Sequence, residues 1–365
     1  MLPLLPFYAE RLGATPTAVG ALIATYALCQ LVAGPALGSL SDHIGRRPVL
    51  LASQIGTFIG LLILAWAPSL WVVFLSRAID GLTAGNLSIA QAYIADVSKP
   101  EERARSFAVI GIAFGIGFLI GPAISGFLSQ FGYVYPVLAA AALSALSICA
   151  TYFLLPESPR VPALDGPAGR RLSILEWSRY VRFFQNPSLG PLLWKFFIFV
   201  FSFGFFTAGF ALFAERRYKF GPKEVGYIFA YTGLLGGLIQ GTMGRLVRRV
   251  GERRLLAVGF IASAIGYAAL AFAFTVPELI FVTTISVLGG VIRPVVTSLI
   301  TQRAARNEQG VVLGLTQSLA SIAQIVAPLI AGALIQKGWL AAWALAMAAV
   351  ALMGIMIRTP ESVIS

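Results

Sequence analysis

Two oppositely charged residues, Arg77 and Asp80, lie inside a long apolar run of the chain, from 71 to 97. Residues three apart share one face of a helix, so the guanidinium and the carboxylate can neutralise each other. Ionisable groups are costly inside a membrane, which makes each of them a functional hypothesis by default. The spacing leaves two alternatives open, a static ion pair and a functional charge pair.

A third charge, Arg293, lies within another apolar run, 277–302, where no acidic residue accompanies it in mid-run. Counted from the same side of the membrane, Asp80 is about seven residues shallower than Arg293, or roughly 10 Å along a helix, so we do not expect a direct pair. Arg293 is left to contact backbone carbonyls, water or an anionic group of a substrate. Lys195 lies near the edge of its own run, and we expect its ammonium to reach the membrane surface.

The rest of the chain is strongly apolar. Of its 365 residues 58% are hydrophobic and 12% are charged, and the mean hydropathy is +0.84, whereas a soluble domain carries about 25% charged residues. Runs of about 20 apolar residues can cross a bilayer, and the backbone within them must form helices. The sequence therefore predicts an all-α membrane protein. The predicted spans are 1–9 (partial), 17–40, 48–67, 71–97, 106–130, 134–155, 189–214, 224–244, 255–274, 277–302, 309–336 and 339–357.

The net charge of +12 follows the predicted membrane topology. Of the 27 Lys and Arg residues, 18 lie in loops on one side of the spans, six lie on the other side and three lie within spans. The positive-inside rule places the first side, with loops 41–47 and 156–188, in the cytoplasm. We therefore expect the lipid bilayer as a partner and no nucleic acid.

A charged loop at 38–47 is repeated at 244–254 with a constant offset of 206 residues (244 − 38). The same offset aligns 121–132 with 327–338. A parallel repeat of this kind predicts two six-helix halves around a central cavity, with alternating access by rocking of the halves. The expected domains are an N-terminal half at 1–155, a cytoplasmic linker at 156–188 and a C-terminal half at 189–365.

The linker and the start of the chain differ from this regular pattern. Residues 172–184 place apolar side chains beside arginines at helical spacing, which predicts an amphipathic helix on the inner leaflet. A plain tether and a partner-binding segment are the alternatives. Residues 1–9 would form a helix of only about 14 Å, half of a bilayer core, so we expect the first span to be truncated in this chain.

Several segments resemble motifs of the major facilitator superfamily. Residues 38–47 are similar to the loop signature of the family, and residues 77–86 resemble its fourth-span motif. The glycines of 111–126 resemble the fifth-span motif of antiporters, and 91–104 resembles the tetracycline-exporter-like drug:proton antiporters. The resemblance covers essentially the whole chain and implies a major facilitator fold.

By this resemblance, the 38–47 loop is implied to be a cytoplasmic latch that holds the outward-facing state. Asp42 suits the N-terminus of a neighbouring helix, where the helix dipole is positive, and in the family that helix is the eleventh span. A basic residue, Arg46 or Arg47, is implied to meet Asp96 at the inner end of the fourth span. The alternative is a positive-inside anchor. The predicted latch residues are Gly38, Asp42, Gly45, Arg46, Arg47 and Asp96.

The fifth predicted span carries glycines at spacings of four, which stack on one helix face and let a partner helix approach closely. Pro122 removes one backbone hydrogen bond and can bend the helix. The resemblance implies a hinge and an export-specific seal, and simple helix packing is the alternative. The predicted hinge and seal residues are Gly111, Gly115, Gly117, Gly121, Pro122 and Gly126.

The resemblance also implies that Arg77 takes part in proton transfer, which makes Asp80 the candidate for the protonatable carboxylate. Antiporters of this type carry a further acid in the first span, at a position that we expect to lie before Met1. Polar residues within the spans are candidates for contact with an amphipathic, partly aromatic substrate. These cavity candidates are Tyr26, Gln30, Asn86, Gln91, Tyr231, Gln240, Arg293, Gln317 and Gln324.

Taken with the resemblance, the sequence favours a secondary transporter that exports amphipathic small molecules or drugs in exchange for protons. We expect it to act as a monomer in the inner membrane of a bacterium. An uncoupled exporter of metabolites or sugars, and a receptor or scaffold without transport, are the alternatives. No nucleotide-binding loop, catalytic triad or metal-ligand spacing is visible in the sequence, so we expect neither an enzyme nor a cofactor.

Overall fold

A computed structural model describes residues 4–98, 103–158, 177–304 and 308–357, and these residues form helices with no strand among them. In chain order the helices are α1 (Leu5–Arg11), α2 (Pro16–Ile44), α3 (Arg46–Ala65), α4 (Leu70–Leu82), α5 (Asn86–Val97), α6 (Arg103–Leu128), α7 (Val134–Leu154), α8 (Trp177–Gln185), α9 (Gly190–Tyr218), α10 (Pro222–Val250), α11 (Glu252–Leu270), α12 (Val276–Val287), α13 (Ile292–Arg303), α14 (Gln309–Gln336) and α15 (Leu340–Met356).

The chain divides into two compact units. The first holds Met1–Gly169 together with Phe220–Ala230, and the second holds Arg170–Lys219 together with Tyr231–Ser365. The first unit therefore contains α1 to α7 and the beginning of α10. The second unit contains α8, α9, the rest of α10 and α11 to α15.

Every predicted span coincides with a helix or a pair of consecutive helices, so the predicted all-α membrane architecture is confirmed. Within the described ranges, seven helical segments are long and apolar enough to cross a membrane. These segments are Pro16–Ile44, Arg46–Ala65, Val134–Leu154, Gly190–Tyr218, Glu252–Leu270, Val276–Arg303 and Val311–Gln336. The apolar helix α15 is shorter, and the predicted span at 71–97 is interrupted between α4 and α5.

The constant offset of the repeated loops extends to the helix boundaries. Helix α2 begins at Pro16 and α10 begins at Pro222, while α3 begins at Arg46 and α11 at Glu252. Both pairs of first residues differ by the offset that separates the two loops. The same difference separates the first residues of α4 and α12, of α5 and α13, of α6 and α14, and of α7 and α15. The two units are thus built from the same succession of helices, as the repeated loops predict.

Backbone turns repeat with the same offset. Six described residues have positive φ, and they form three pairs, each separated by the offset of the repeat. These pairs are Gly13 with Lys219, Gly45 with Gly251, and Gly132 with Gly338. A left-handed backbone is costly for residues other than glycine, so the glycines at the second and third pairs mark the turns that both units require.

The interruption between α4 and α5 also has a counterpart. Ser53 donates a hydrogen bond to the carbonyl of Thr83 and accepts one from the Gly85 amide at 2.9 Å, which satisfies backbone groups that the broken helix leaves free. In the second unit the equivalent position is a 3-10 turn, Leu288–Val291, between α12 and α13. Both units thus place a bent helix at the fourth span of the repeat.

The linker helix α8 packs on the second unit. Phe183 is buried in an apolar cluster with Leu189 and Leu192, while Arg182 pairs with Glu308 at 2.8 Å. Helix α8 is therefore attached to the second unit by an apolar contact at Phe183 and an ion pair at Arg182. Residues 172–176 of the predicted amphipathic helix lie outside the described residues.

The side chain of Lys195 is buried in the protein, so the expectation that it reaches the membrane surface is wrong. The residue is 7% exposed, its Nζ donates to the carbonyl oxygen of Gly354 at 2.8 Å, and it lies 5.5 Å from the centre of the Phe260 ring. Gly354 is in the last turn of α15, where carbonyl groups lack partners within the helix and the dipole favours a cation. Lys195 therefore stabilises the end of another helix from within the protein.

Candidate functional site

The charged pair predicted from the sequence is present inside the first unit. Arg77 Nη1 lies 3.0 Å from Asp80 Oδ2, and Asp80 is only 8% exposed. Arg77 Nη2 also donates to Ser76 Oγ at 3.3 Å, and Ser76 in turn donates to the Gly60 carbonyl at 2.9 Å. The pair is thus held between α4 and α3, within a span, rather than at a membrane surface.

A small residue on α3 makes room for Asp80. A Cβ added at Gly60 would lie 3.2 Å from the Cβ of Asp80, closer than most real Cβ contacts. In the second unit Gly266 occupies the position of the repeat equivalent to Gly60 and packs in the same way against Ser286, the equivalent of Asp80. The two units share this helix contact, but only the first places a carboxylate there.

Thr57 is a partner of Asp80 that we did not predict. Its hydroxyl lies close to the Asp80 carboxylate and accepts a hydrogen bond from Asn86 Nδ2 at 3.3 Å. Two buried atoms of this cluster, Asn86 Oδ1 and Arg77 Nε, have no hydrogen-bond partner among the described residues. In the sequence, Thr57 appears as a hydroxyl within an apolar span, and no local pattern distinguishes it from the other hydroxyls in spans.

The predicted cavity residues of the first unit fall into two groups. Gln30 Nε2 donates to Tyr26 Oη and to the carbonyl of Ala84, both at 3.4 Å, which joins α2 to the turn between α4 and α5. Tyr26 also lies close enough to Asp80 and Arg77 to interact electrostatically with both side chains. Tyr26, Gln30 and Asn86 thus gather around the ion pair, whereas Gln91 is exposed farther along α5.

The basic end of the first unit holds a second cluster. The predicted loop at 38–47 is largely helical there, because α2 continues to Ile44 and α3 begins at Arg46, which leaves Gly45 alone as the turn. Arg46 Nη1 lies 2.5 Å from Asp42 Oδ1 and its Nε lies 2.8 Å from Asp96 Oδ2. The guanidinium also donates to Ser41 Oγ at 2.7 Å, and Ser41 donates to the carbonyl of Gly38. Of the two arginines, it is therefore Arg46 that meets Asp96.

Arg47 has different contacts, and a residue that we did not predict completes the cluster. The carboxylate of Glu157 accepts from the backbone amides of Arg46 at 2.8 Å and Arg47 at 3.2 Å, so it caps the first turn of α3. Arg47 donates to the carbonyl of Tyr152 and lies 5.6 Å from the centre of its ring. Glu157 follows the apolar run of α7 directly, and an acid at that boundary was the signal in the sequence.

Gly45 lets the loop and Glu157 approach each other. Its φ is +120°, and an added Cβ would lie 2.9 Å from the Glu157 carboxylate. The left-handed backbone and the close carboxylate both exclude larger residues at this position. The predicted latch residues are therefore assembled within one unit, around the beginning of α3.

The second unit has a weaker version of the same contact. In the repeat, Glu252 is the equivalent of Arg46, and Gln302 is the equivalent of Asp96. Glu252 Oε1 accepts from Gln302 Nε2 at 3.3 Å and from Ser298 Oγ at 2.8 Å. Hydrogen bonds from neutral donors thus replace the ion pair of the first unit.

The glycines of the fifth span differ in their surroundings within the first unit. A Cβ added at Gly115, Gly117 or Gly121 would meet no described atom of the first unit within 4 Å. The close approach is instead at Gly126, where an added Cβ would lie 3.2 Å from the Cα of Gly226. Gly226 also approaches the carbonyl of Pro122, so the tight contact joins the end of α6 to the start of α10. Gly111 lies in α6.

Among the described residues, the predicted cavity residues of the second unit make no hydrogen bonds to one another. Tyr231 shares a hydrogen bond with Thr284 at 2.7 Å, between α10 and α12. Many phenylalanines of α9 face protein: Phe196, Phe205, Phe210 and Phe213 are buried. The remaining predicted residues are exposed: Gln240, Arg293, Gln317 and Gln324.

Comparison with known proteins assigns the family. The family model described as Major Facilitator Superfamily matches residues 1–241 and 196–363. The chain is 34% identical over 322 residues to the tetracycline resistance protein, class C, of Escherichia coli. The matched region covers 86% of this chain and 79% of that protein. It is 27% identical over 345 residues to multidrug resistance protein 2 of Bacillus subtilis, covering 92% of this chain and 84% of the relative.

A solved structure shows the same fold. The crystal structure of the human organic anion transporter MFSD10 (TETRAN) superposes with a TM-score of 0.69 at 22% identity, covering 98% of this chain and 94% of that chain. The helical repeat, the membrane-spanning helices and the family model agree with one another. The chain therefore belongs to the Major Facilitator Superfamily of transporters.

Proposed function

We propose that this transporter exports amphipathic small molecules in exchange for protons, by alternating access. The observation that carries the proposal is the Arg77–Asp80 pair, because a carboxylate that is 8% exposed inside a span is a group that can take up and release a proton during transport. The printed names of the relatives, tetracycline resistance and multidrug resistance proteins, support a drug-like substrate.

Protonation of Asp80 would act on its neighbours directly. Once the carboxylate is neutral, the charge attraction to Arg77 is lost, and the guanidinium is free to seek another acceptor. Asn86 Oδ1 is buried in the same cluster without a hydrogen-bond partner among the described residues, and Asn86 Nδ2 donates to Thr57, a neighbour of Asp80. A proton on Asp80 thus changes the hydrogen bonds between α3, α4 and α5, which gives the two protonation states different preferred conformations.

The cluster at the basic end is the proposed latch. Arg46 joins Asp42 on α2 and Asp96 on α5, so three helices of the first unit are tied at the end that the positive-inside rule places in the cytoplasm. The Asp42 and Asp96 carboxylates contribute nothing to a positive-inside anchor, which favours the latch over that alternative. The glycines and Pro122 of α6 are proposed as a hinge rather than as a packing face.

Transport of tetracycline into proteoliposomes tests the coupling. With an imposed pH gradient, the wild type should accumulate tetracycline, and Asp80→Asn should abolish this accumulation because an amide cannot release a proton. Exchange of labelled for unlabelled tetracycline without a gradient should persist in Asp80→Asn, since substrate binding and conformational change remain. Glu224→Gln, which alters an exposed acid outside the cluster, is the matched control.

Two outcomes would contradict the proposal. Gradient-driven accumulation that is unchanged in Asp80→Asn would remove Asp80 from coupling and favour an uncoupled exporter. Absence of any substrate-dependent flux in the wild type, with tetracycline and with a panel of amphipathic drugs, would favour a protein that does not transport.

A further inference from the structure

Arg293 is a positive charge deep in the membrane-spanning segment Val276–Arg303. It is the second residue of α13, directly after the 3-10 turn Leu288–Val291, and its side chain is exposed. Among the described residues of the second unit, its guanidinium has no hydrogen-bond or ion-pair partner. The residue lies ten positions before the end of α13, which is about 15 Å along the axis, too far for the side chain to reach that end.

The helix that carries Arg293 has a polar face that does not suit lipid. All five apolar aliphatic residues of α13 are buried on one face: Ile292, Val295, Val296, Leu299 and Ile300. The remaining residues of the helix are Arg293, Pro294, Thr297, Ser298, Thr301, Gln302 and Arg303. A face of this composition at membrane depth contacts water or protein rather than hydrocarbon. Arg293 and Thr297, four residues apart, present a guanidinium and a hydroxyl side by side on it.

Space is available next to the guanidinium. Gly290 lies three residues before Arg293, and a Cβ added there would meet no described atom within 4 Å. The adjacent Gly289, in contrast, packs closely against Ser263. The turn is therefore packed against α11 at Gly289 and has open space beside it at Gly290.

Among the described residues of the second unit, no acid lies near the middle of a membrane-spanning segment to neutralise Arg293. The four described carboxylates of this unit lie at helix ends: Glu215, Glu252, Glu278 and Glu308. Three of them have local partners, since Glu278 caps α12, Glu252 binds Ser298 of α13, and Glu308 pairs with Arg182. A positive charge at this depth without an acid in its own unit marks a water-filled pathway in which an anionic ligand can bind it.

We infer that Arg293 binds an anionic group of the transported molecule, a carboxylate, sulfonate or phosphate, and that the transporter handles organic anions. The inference rests on the proposed transport function and names its substrate class. A guanidinium presents two parallel N–H donors to such a group, a geometry that a lysine ammonium lacks. Thr297 adds a third donor from the next turn.

Two dyes that share a xanthene ring system test the charge preference. Fluorescein is anionic at neutral pH and rhodamine 123 is cationic, and binding of each to the purified transporter in detergent is measured by fluorescence anisotropy. Arg293→Gln should raise the Kd for fluorescein about tenfold or more, as expected for one charge-assisted, hydrogen-bonded pair. Arg293→Lys should fall between wild type and Arg293→Gln, and binding of rhodamine 123 should be unchanged in both.

Arg303→Gln removes the same charge from the same helix at its end and serves as the matched control. Thermal unfolding of each variant separates a binding defect from a folding defect, and the exposed, unpaired Arg293 should be replaceable without loss of stability. Unchanged fluorescein binding in Arg293→Gln, or no saturable fluorescein binding by the wild type, would overturn the inference. Equal loss of both dyes in a folded Arg293→Gln variant would also overturn it, because the charge would then not be what is recognised.

The result is separable from that of the coupling experiment. Dye binding needs no proton gradient, so fluorescein binding that depends on Arg293 would persist if Asp80 proved to have no role in coupling. Loss of gradient-driven transport with intact dye selectivity would overturn the proposed coupling alone.

Discussion

Arg46 Nε donates to Asp96 Oδ2 at 2.8 Å, and this contact ties the first residue of α3 to the end of α5. A cation at the N-terminus of a helix is unfavourable by itself, because the helix dipole is positive there. Three carboxylates surround this helix start: Asp42 and Asp96 bind the guanidinium, and Glu157 binds the backbone amides. The acids therefore offset both the arginine and the dipole, which explains how a basic loop can also be a fixed structural junction.

The first prediction concerns the charge pair itself. Arg46→Ala removes the guanidinium that binds two carboxylates, Asp42 and Asp96. Because the arginine side chain is 13% exposed and that of Asp96 is 21% exposed, we expect a loss of about 1–3 kcal/mol in the free energy of unfolding. Transport should slow while substrate binding is retained. Thermal unfolding and initial rates of tetracycline transport at saturating substrate measure the two effects.

A charge reversal distinguishes the pair from the positive charge alone. The double variant Arg46→Asp with Asp96→Arg should recover part of the stability lost in each single variant, since the pair is restored with opposite sign. Arg248→Ala removes an exposed arginine from the repeated loop and should have little effect. Equal losses in Arg46→Ala and Arg248→Ala would indicate an anchor that depends on positive charge only.

The second prediction compares two glycines at equivalent turns. Gly45 and Gly251 occupy equivalent positions of the repeat, and both have positive φ, +120° and +83°. Substitution by alanine strains the backbone at either position, at a cost of about 1 kcal/mol. Gly45→Ala also brings a methyl group against the Glu157 carboxylate and so disturbs the cap of α3, whereas an added Cβ at Gly251 meets no described atom within 4 Å.

We therefore expect Gly45→Ala to lower the unfolding temperature more than Gly251→Ala does. Adding Glu157→Ala to each variant tests the cause. The extra loss at Gly45 should largely disappear in the double variant, because the cap is already absent. A similar effect of Glu157→Ala in both backgrounds would show that the carboxylate does not account for the difference.

The helix order was predictable because its signals are local. Apolar runs, glycine turns and the repeat offset each depend on neighbouring residues, and the loop at 38–47 with its copy at 244–254 was sufficient to relate the two units. The same local information placed Arg77 and Asp80 on one face, three residues apart. These features follow from spacing along a single helix and need no knowledge of what packs against it.

Contacts between helices were less predictable. Thr57 lies close to Asp80, and Glu157 binds the backbone amides at the start of α3. In both cases the partner is remote in sequence. The glycine run of α6 predicted that a partner helix can approach closely, and among its described glycines within the first unit the close contact is at Gly126. A row of small residues shows that close approach is possible, while the arrangement of the helices decides where it occurs.

The third prediction concerns Lys195, a charge within a span that the structure assigns to stability rather than to transport. Its ammonium donates to the Gly354 carbonyl in the last turn of α15, inside an apolar cluster that includes Phe196 and Phe260. Lys195→Met keeps the length and apolar stem of the side chain but removes the cap, so we expect a loss of about 1–2 kcal/mol in stability. Arg293→Met should show the opposite pattern, with stability retained and anion binding lost. Thermal unfolding and dye binding of the two variants, measured side by side, provide the test; a Lys195→Met variant that is as stable as the wild type but inactive would instead make Lys195 part of the transport machinery.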